Sequence, residues 1–216
     1  MSLLLIYIIT VSTAVVPCEI CCEGGKQTEE VRKKFLDLHN EFRSRLARGL
    51  EKNVKLYNKT SLSASAMMKM KYDCTAERLA QKAADKCRNE HTRCAELEGY
   101  NENRARVMGT KLDPLFAAER ALTAWWKEFA KHGSHWNNIY TKEMLAEGKM
   151  QHYVQMAWSR TTHVGCAVKN CRISSMVFCR YKPGGRRLNE VIYEVGDTCS
   201  ACPNGTTCEK DTGLCA

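Results

Sequence analysis

The segment His152-Tyr153-Val154-Gln155-Met156-Ala157-Trp158 sets an imidazole, a carboxamide and an indole in an otherwise apolar helical turn. It leads through Ser159-Arg160-Thr161-Thr162 into His163-Val164-Gly165-Cys166-Ala167, which reads as the start of a strand. An ionisable ring in apolar surroundings is either held by partners or available to one. Three further groups could work with it. His91 lies in the charged run Arg88 to Cys94, Glu102 follows in Gly99-Tyr100-Asn101-Glu102-Asn103, and Glu128 stands beside Trp125, Trp126 and Phe129. Two neutral imidazoles suit Zn²⁺ or another divalent cation, with carboxylates orienting the rings or activating water. The same four could act as acid and base. Their spacing alone brings no two together. Read singly, each His is a satisfied or exposed side chain, and Glu128 belongs to a solvated helix face. The strings HExxH and GxSxG do not occur, and no Ser or Cys is visibly paired with a base.

Several elements must position these groups. Thr28 caps a helix with Glu29 and Glu30 in its first turn, Val31, Phe35, Leu38, Phe42 and Leu46 at helical spacing, and Gly49 at its end. His39 and Arg43, four apart in His39-Asn40-Glu41-Phe42-Arg43, share a face of it. Ser63 to Met70 is small and Met-rich and predicts a short packed helix. Thr75 to Cys87 reads as a helix with Leu79, Ala80, Ala83, Ala84 and Cys87 inward. Asp113-Pro114 opens a third helix, running through Leu122 and Phe129 to Gly133. Residues 133–150 read as a loop. Val164 to Val168, Met176 to Tyr181 and Val191 to Val195 are β-branched runs between turns and predict strands. Helices followed by a strand meander argue for one mixed α+β domain.

Composition bounds the class. The chain has 216 residues, of which 44% are hydrophobic and 26% charged, so disorder is not its default state. Thirteen cysteines point to an oxidising compartment and a disulfide framework. The odd thiol is expected among Cys18, Cys21 and Cys22, although Cys18 and Cys21 also fit a structural disulfide. Leu3 to Val16 is apolar and uncharged with small residues near its end, the pattern of a signal peptide cleaved near Ala14 to Val16. A secreted, extracellular protein without a transmembrane segment is expected. The net charge of +9 is scattered apart from Arg180, Lys182, Arg186 and Arg187, which reads as a solvated cationic surface. Export disfavours nucleic acid as a partner. Asn58-Lys59-Thr60 and Asn204-Gly205-Thr206 are glycosylation sequons. The end, Cys199 through Cys202 and Cys208 to Cys215, is too poor in apolar residues to build a core and must be stapled.

His39-Asn40-Glu41-Phe42-Arg43, the segment His152 to Trp158 with Val164-Gly165-Cys166-Ala167, and Cys179-Arg180-Tyr181-Lys182-Pro183-Gly184-Gly185 together resemble signatures of the CAP superfamily of cysteine-rich secretory, antigen 5 and pathogenesis-related proteins. Glu102-Asn103 resembles its G-E-N signature. The resemblance covers about residues 31 to 216 and is nearest to the venom-allergen-like proteins that parasitic nematodes release. It implies a three-layer α-β-α sandwich over residues 31–195, preceded by a signal peptide (1–16) and a Cys-rich segment (17–30) and followed by a hinge-like tail (196–216). It implies that His91 and His152, with Glu102 and Glu128, line one central cleft that binds Zn²⁺ or another divalent cation weakly. It implies pairing for most of Cys74, Cys87, Cys94, Cys166, Cys171 and Cys179 within residues 74–179, and of Cys199, Cys202, Cys208 and Cys215 within the tail. The function it implies is binding of a sterol, a fatty acid or a host immune protein; a metal-dependent hydrolase is the alternative. Two departures stand out. Gln151 occupies a place where the family has Gly, which predicts a different local turn, and Cys18, Cys21 and Cys22 are additional.

Overall fold

The computed structural model describes residues 18–216; the expected signal peptide lies outside them. Each long helix starts where a side chain satisfies its first amides. In α1 (Glu29–Ala47) the hydroxyl of Thr28 accepts from Val31 N–H. In α2 (Cys74–Ala84) the Asp73 carboxylate accepts from Thr75 and Ala76 N–H at 2.8 and 3.0 Å, a short distance after β1 (Lys71–Tyr72). In α3 (Pro114–His132) Asp113 accepts from Leu115 N–H, and Gly133, at φ 66°, ends the helix.

A four-stranded mixed sheet lies at the centre, with β2 (Asn101–Met108), β3 (His163–Asn170) and β4 (Ser174–Lys182) in the order β1-β3-β4-β2. β1 runs parallel to β3; the other pairs are antiparallel. Alternation along the strands feeds two cores. Val164, Cys166, Val177, Cys179 and Tyr181 pack on one face with Phe35, Trp126 and Phe129, beneath α1, α3 and α5 (Gln151–Ala157). Ala167, Met176 and Phe178 meet Ala80, Ala83 and Ala84 of α2 on the other. The three-layer α-β-α architecture is therefore present. The central strand β4 is buried along its length except at Lys182, as a strand covered on both faces must be. Gly165 lets α2 approach: a Cβ there would stand 2.2 Å from the Asp73 carbonyl oxygen.

Three elements differ from expectation. Ser63 to Met70 is extended, not helical, because its backbone groups are spent elsewhere. Met67 O accepts from Cys215 N–H, and Met68 O accepts two bonds from Arg43. Val191 to Val195 forms only isolated bridges, Val191 with Ile139 and Val195 with Ala64, while Ile192 and Tyr193 sink into the core. Within the expected loop 133–150 there is a short helix, α4 (Lys142–Glu147). Gln151 does not disturb its turn. It takes helical backbone, accepts from the Tyr140 hydroxyl at 2.7 Å and donates to the Met144 and Leu145 carbonyls at the end of α4.

The disulfides are Cys18–Cys21, Cys22–Cys74, Cys87–Cys171, Cys166–Cys179, Cys199–Cys208 and Cys202–Cys215. Two expectations are corrected. Cys74 pairs outside residues 74–179, because the N-terminal segment runs past the start of α2 and brings Cys22 to it. The unpaired thiol is Cys94, exposed on a 3₁₀ turn (Cys94–Glu96) that no other cysteine reaches. Native protein should therefore release one equivalent of thionitrobenzoate from Ellman's reagent, and the Cys94→Ser variant none; two or more equivalents would contradict the pairing.

The tail does not hang free. Its hairpin, β5 (Cys208–Glu209) and β6 (Leu214–Cys215), buries Leu214 in the main core, and Ser44 of α1 donates to Thr212 O at 2.6 Å. No helix of the described residues is long and apolar enough to cross a membrane.

A candidate cleft of two histidine–carboxylate pairs

Glu102 sits in β2 directly opposite Arg180 of β4, and their side chains, 3% and 1% exposed, form an ion pair at 2.5 Å. The backbone N–H and hydroxyl of Thr92 donate to its two oxygens at 3.1 and 2.7 Å, and Arg180 also donates to that hydroxyl. His91 Nδ1 approaches Glu102 Oε1 at 3.4 Å. Burial, then the charge of Arg104, lowers the His91 pKa from its ordinary value despite Glu102, a shift that favours the neutral ring.

The second pair is built from two helices. Trp125 and Glu128, three apart on α3, share a face. Glu128 Oε1 accepts from His152 Nδ1 at 2.6 Å, and Oε2 accepts from His152 and Tyr153 N–H at 3.1 and 3.0 Å. The carboxylate thus fixes both the ring and the first turn of α5, and Trp125 stacks on the imidazole at 5.6 Å between centroids. With Nδ1–H turned to Glu128, Nε2 is the nitrogen that carries the lone pair.

The pairs straddle one strand. Glu102 works on the α2 side of β2, while its neighbour Asn103 points to the opposite face and donates to the His152 carbonyl at 3.0 Å. No three of the four donor groups come within 4.8 Å of one another. Among the described residues the only such set is Cys199, Cys202 and Cys215, all in disulfides and hence not thiolate ligands. His91 also lines a pocket of about 290 Å³ with Lys86, Arg88 and Glu96. Carboxylates that hold imidazoles at Nδ1 match the outer shell of a histidine metal site, so the donor chemistry of each pair fits a divalent cation. Bound there, the ion would supply Lewis-acid charge.

The other signature residues serve the scaffold. His39 Nδ1 donates to Phe35 O at 2.7 Å, and Nε2 accepts from the Tyr181 hydroxyl at 2.9 Å. Asn40 bonds both backbone groups of Met70. Arg43, fully buried, donates six bonds to the carbonyls of Met68, Met156, Trp158, Ser159 and Thr161. Burial pulls the His39 pKa down from 6.5 to about 4. A neutral buried ring stabilises the fold fully above pH 6.5. Between 6.5 and 4 the unfolded chain binds a proton that the folded one refuses, so that stability drains as the pH falls. Urea midpoints should show a loss of roughly 2–3 kcal/mol between pH 7 and pH 4.5 that the His39→Gln variant lacks. An equal slope in both proteins would contradict it.

Residues missed from sequence include Thr92 and Arg180, the partners of Glu102. The alternation Arg104-Ala105-Arg106-Val107, which marks β2, was the available signal. Asn58 and Asn204 are exposed, with Thr60 N–H on the Asn58 side chain. A separate groove of about 530 Å³ runs between α1, the N-terminal segment and the tail, lined by Ile20, Leu36, Met70 and Tyr72, with Lys69 and Lys71 beside them.

Comparison with known proteins agrees with this architecture. Residues 36–181 match the model of the cysteine-rich secretory protein family, CAP. The chain is 38% identical over 198 residues to the Ancylostoma secreted protein of Ancylostoma caninum, covering 91% of this chain and 46% of that protein. The solved structure of Na-ASP-1 superposes with a TM-score of 0.87 at 36% identity, over 94% of this chain and 51% of that one. That of NaASP2 with Zn²⁺ gives 0.84 at 36% identity, over 91% of this chain and 100% of that one. The chain thus spans about half the length of the first two. With the helix signature, the sandwich and both histidine–carboxylate pairs in place, the chain belongs to the CAP family of cysteine-rich secretory proteins.

Proposed function

We propose that the protein is a secreted, non-catalytic binder of an apolar ligand, in first place a fatty acid, and that His91 and His152 hold a divalent cation weakly. The groove beside α1 carries the reading. Its volume, about 530 Å³, lies in the range of small-molecule sites. Leu36, Ile20 and Tyr72 offer apolar contact. Lys69 is spent on Glu209 at 2.7 and 2.9 Å, which leaves Lys71 as the cation for a carboxylate headgroup. Against hydrolysis, the oxygens of Glu102 and Glu128 already accept bonds from neighbouring N–H, O–H and guanidinium groups, so neither is poised as a general base. Displacement of a fluorescent fatty acid tests this. Wild type and His152→Ala should bind it equally, and Leu36→Asp, at a half-buried groove position, should weaken binding at least about tenfold. Ester turnover that disappears in Glu128→Ala would favour the hydrolase instead.

A further inference from the structure

Arg186 follows Gly184-Gly185 in the loop that leaves β4. The loop is clamped. Asn101 donates to Gly185 O at 2.9 Å, Gly185 N–H donates to Gln155 Oε1 at 3.1 Å, and Thr161 donates to Pro183 O at 2.8 Å. Side chains are excluded from its glycines: a Cβ on Gly184 would lie 2.5 Å from Asn101 Oδ1, and one on Gly185 2.6 Å from Trp158 Cγ. Arg186 itself holds a left-handed backbone, φ 59°, unusual for so long a side chain. That conformation sends its half-buried guanidinium back over the end of β2, where Nη2 donates to the Glu102 carbonyl oxygen at 3.2 Å. The strand end it covers is the one that the two histidine–carboxylate pairs straddle. Burial works against its charge, while Tyr140, Tyr181, Glu102 and Glu128 favour it.

We infer that Arg186 is a built-in cation of the cleft: beyond the Arg180–Glu102 pair, its guanidinium adds a second fixed positive charge at the end of β2 and opposes a divalent metal ion at His91 and His152. Guanidinium is charged at any physiological pH and cannot leave as a metal ion does. A metal entering between the pairs therefore meets a fixed like charge, and the cleft is kept weak toward metal even though its imidazoles are correctly held. This rests on the proposed two-histidine site, and the test separates the two.

Zn²⁺ titration calorimetry on the full chain decides it, using wild type, Arg186→Asn, Arg186→Lys and the triple variant Arg186→Asn/His91→Ala/His152→Ala. Asn tolerates the left-handed backbone, so the fold should survive, and Lys keeps the charge as a control. Arg186→Asn should bind Zn²⁺ about tenfold tighter or more, since one repelling charge near a doubly charged ion is removed. Arg186→Lys should stay near wild type, and the triple variant should lose the gain. Measurable binding that is equal in wild type and Arg186→Asn would overturn the role of Arg186 and leave the histidine site standing. No binding in Arg186→Asn would overturn both. A gain that persists in the triple variant would place the ion away from the histidines and overturn the inference.

Discussion

Replacing Arg43 by Leu should cost at least about 4 kcal/mol of stability, enough to leave little folded protein. Its guanidinium is fully buried and donates to five carbonyl oxygens, three of them in the chain that leaves α5. No carboxylate balances it; the carbonyl dipoles do. Burial lowers its pKa to about 9, so it remains a cation at neutral pH. Without it, the Met68, Met156 and Thr161 oxygens lose their donors, at about 1–3 kcal/mol each, while Trp158 O and Ser159 O keep the backbone N–H of Thr161 and of Met68. Arg43→Lys should lose less but still more than about 1 kcal/mol, because an ammonium has three donors and no fork. Urea denaturation measures both. A loss below about 1 kcal/mol for Arg43→Leu would mean that other donors or water serve these carbonyls.

Glu77→Ala should lose about 3–5 kcal/mol. Glu77 is 1% exposed and takes both Arg32 donors, at 2.7 and 3.1 Å, with the Tyr72 hydroxyl at 2.9 Å. The pair ties α1 to α2 past the edge of the sheet. Truncating one partner strands the other charge in a site 6% exposed. The double variant Arg32→Met/Glu77→Leu should recover most of the loss, since removing both charges removes the desolvation penalty with them. A double variant as unstable as Glu77→Ala would show that packing, not the unpaired charge, sets the cost.

Where sequence and structure agree, a strong local signal and a tertiary role coincide. Thr28 and Asp113 open helices because their side chains meet orphan amides, and such caps are visible in sequence. The helix bearing His39, Asn40 and Arg43 was legible as an amphipathic element. What these residues do was not, since apart from Phe35 their partners lie 25 to 142 positions away. β2 went unread although Arg104-Ala105-Arg106-Val107 alternates as a strand should, and it carries Glu102. Ser63 to Met70 has helical composition, but Arg43, Asn40 and the tail take its backbone groups. Val191 to Val195 has strand composition, yet only Ile192 and Tyr193 are buried, by packing, with no strand beside them. Cys94 could not be separated from its neighbours in sequence; only the course of the N-terminal segment past α2 assigns Cys22 to Cys74. The quartet was found residue by residue through family resemblance. Its division into two pairs depends on the opposite facing of Glu102 and Asn103, a property of strand register.

The most direct test of the binding role is a mass spectrum of lipids extracted from protein purified without detergent after exposure to a mixed fatty-acid and sterol pool. Wild type should yield close to one fatty acid per chain, and Leu36→Asp should yield almost none while still giving the circular dichroism of the folded protein. Equal lipid in both proteins, or none in wild type, would contradict the proposed groove.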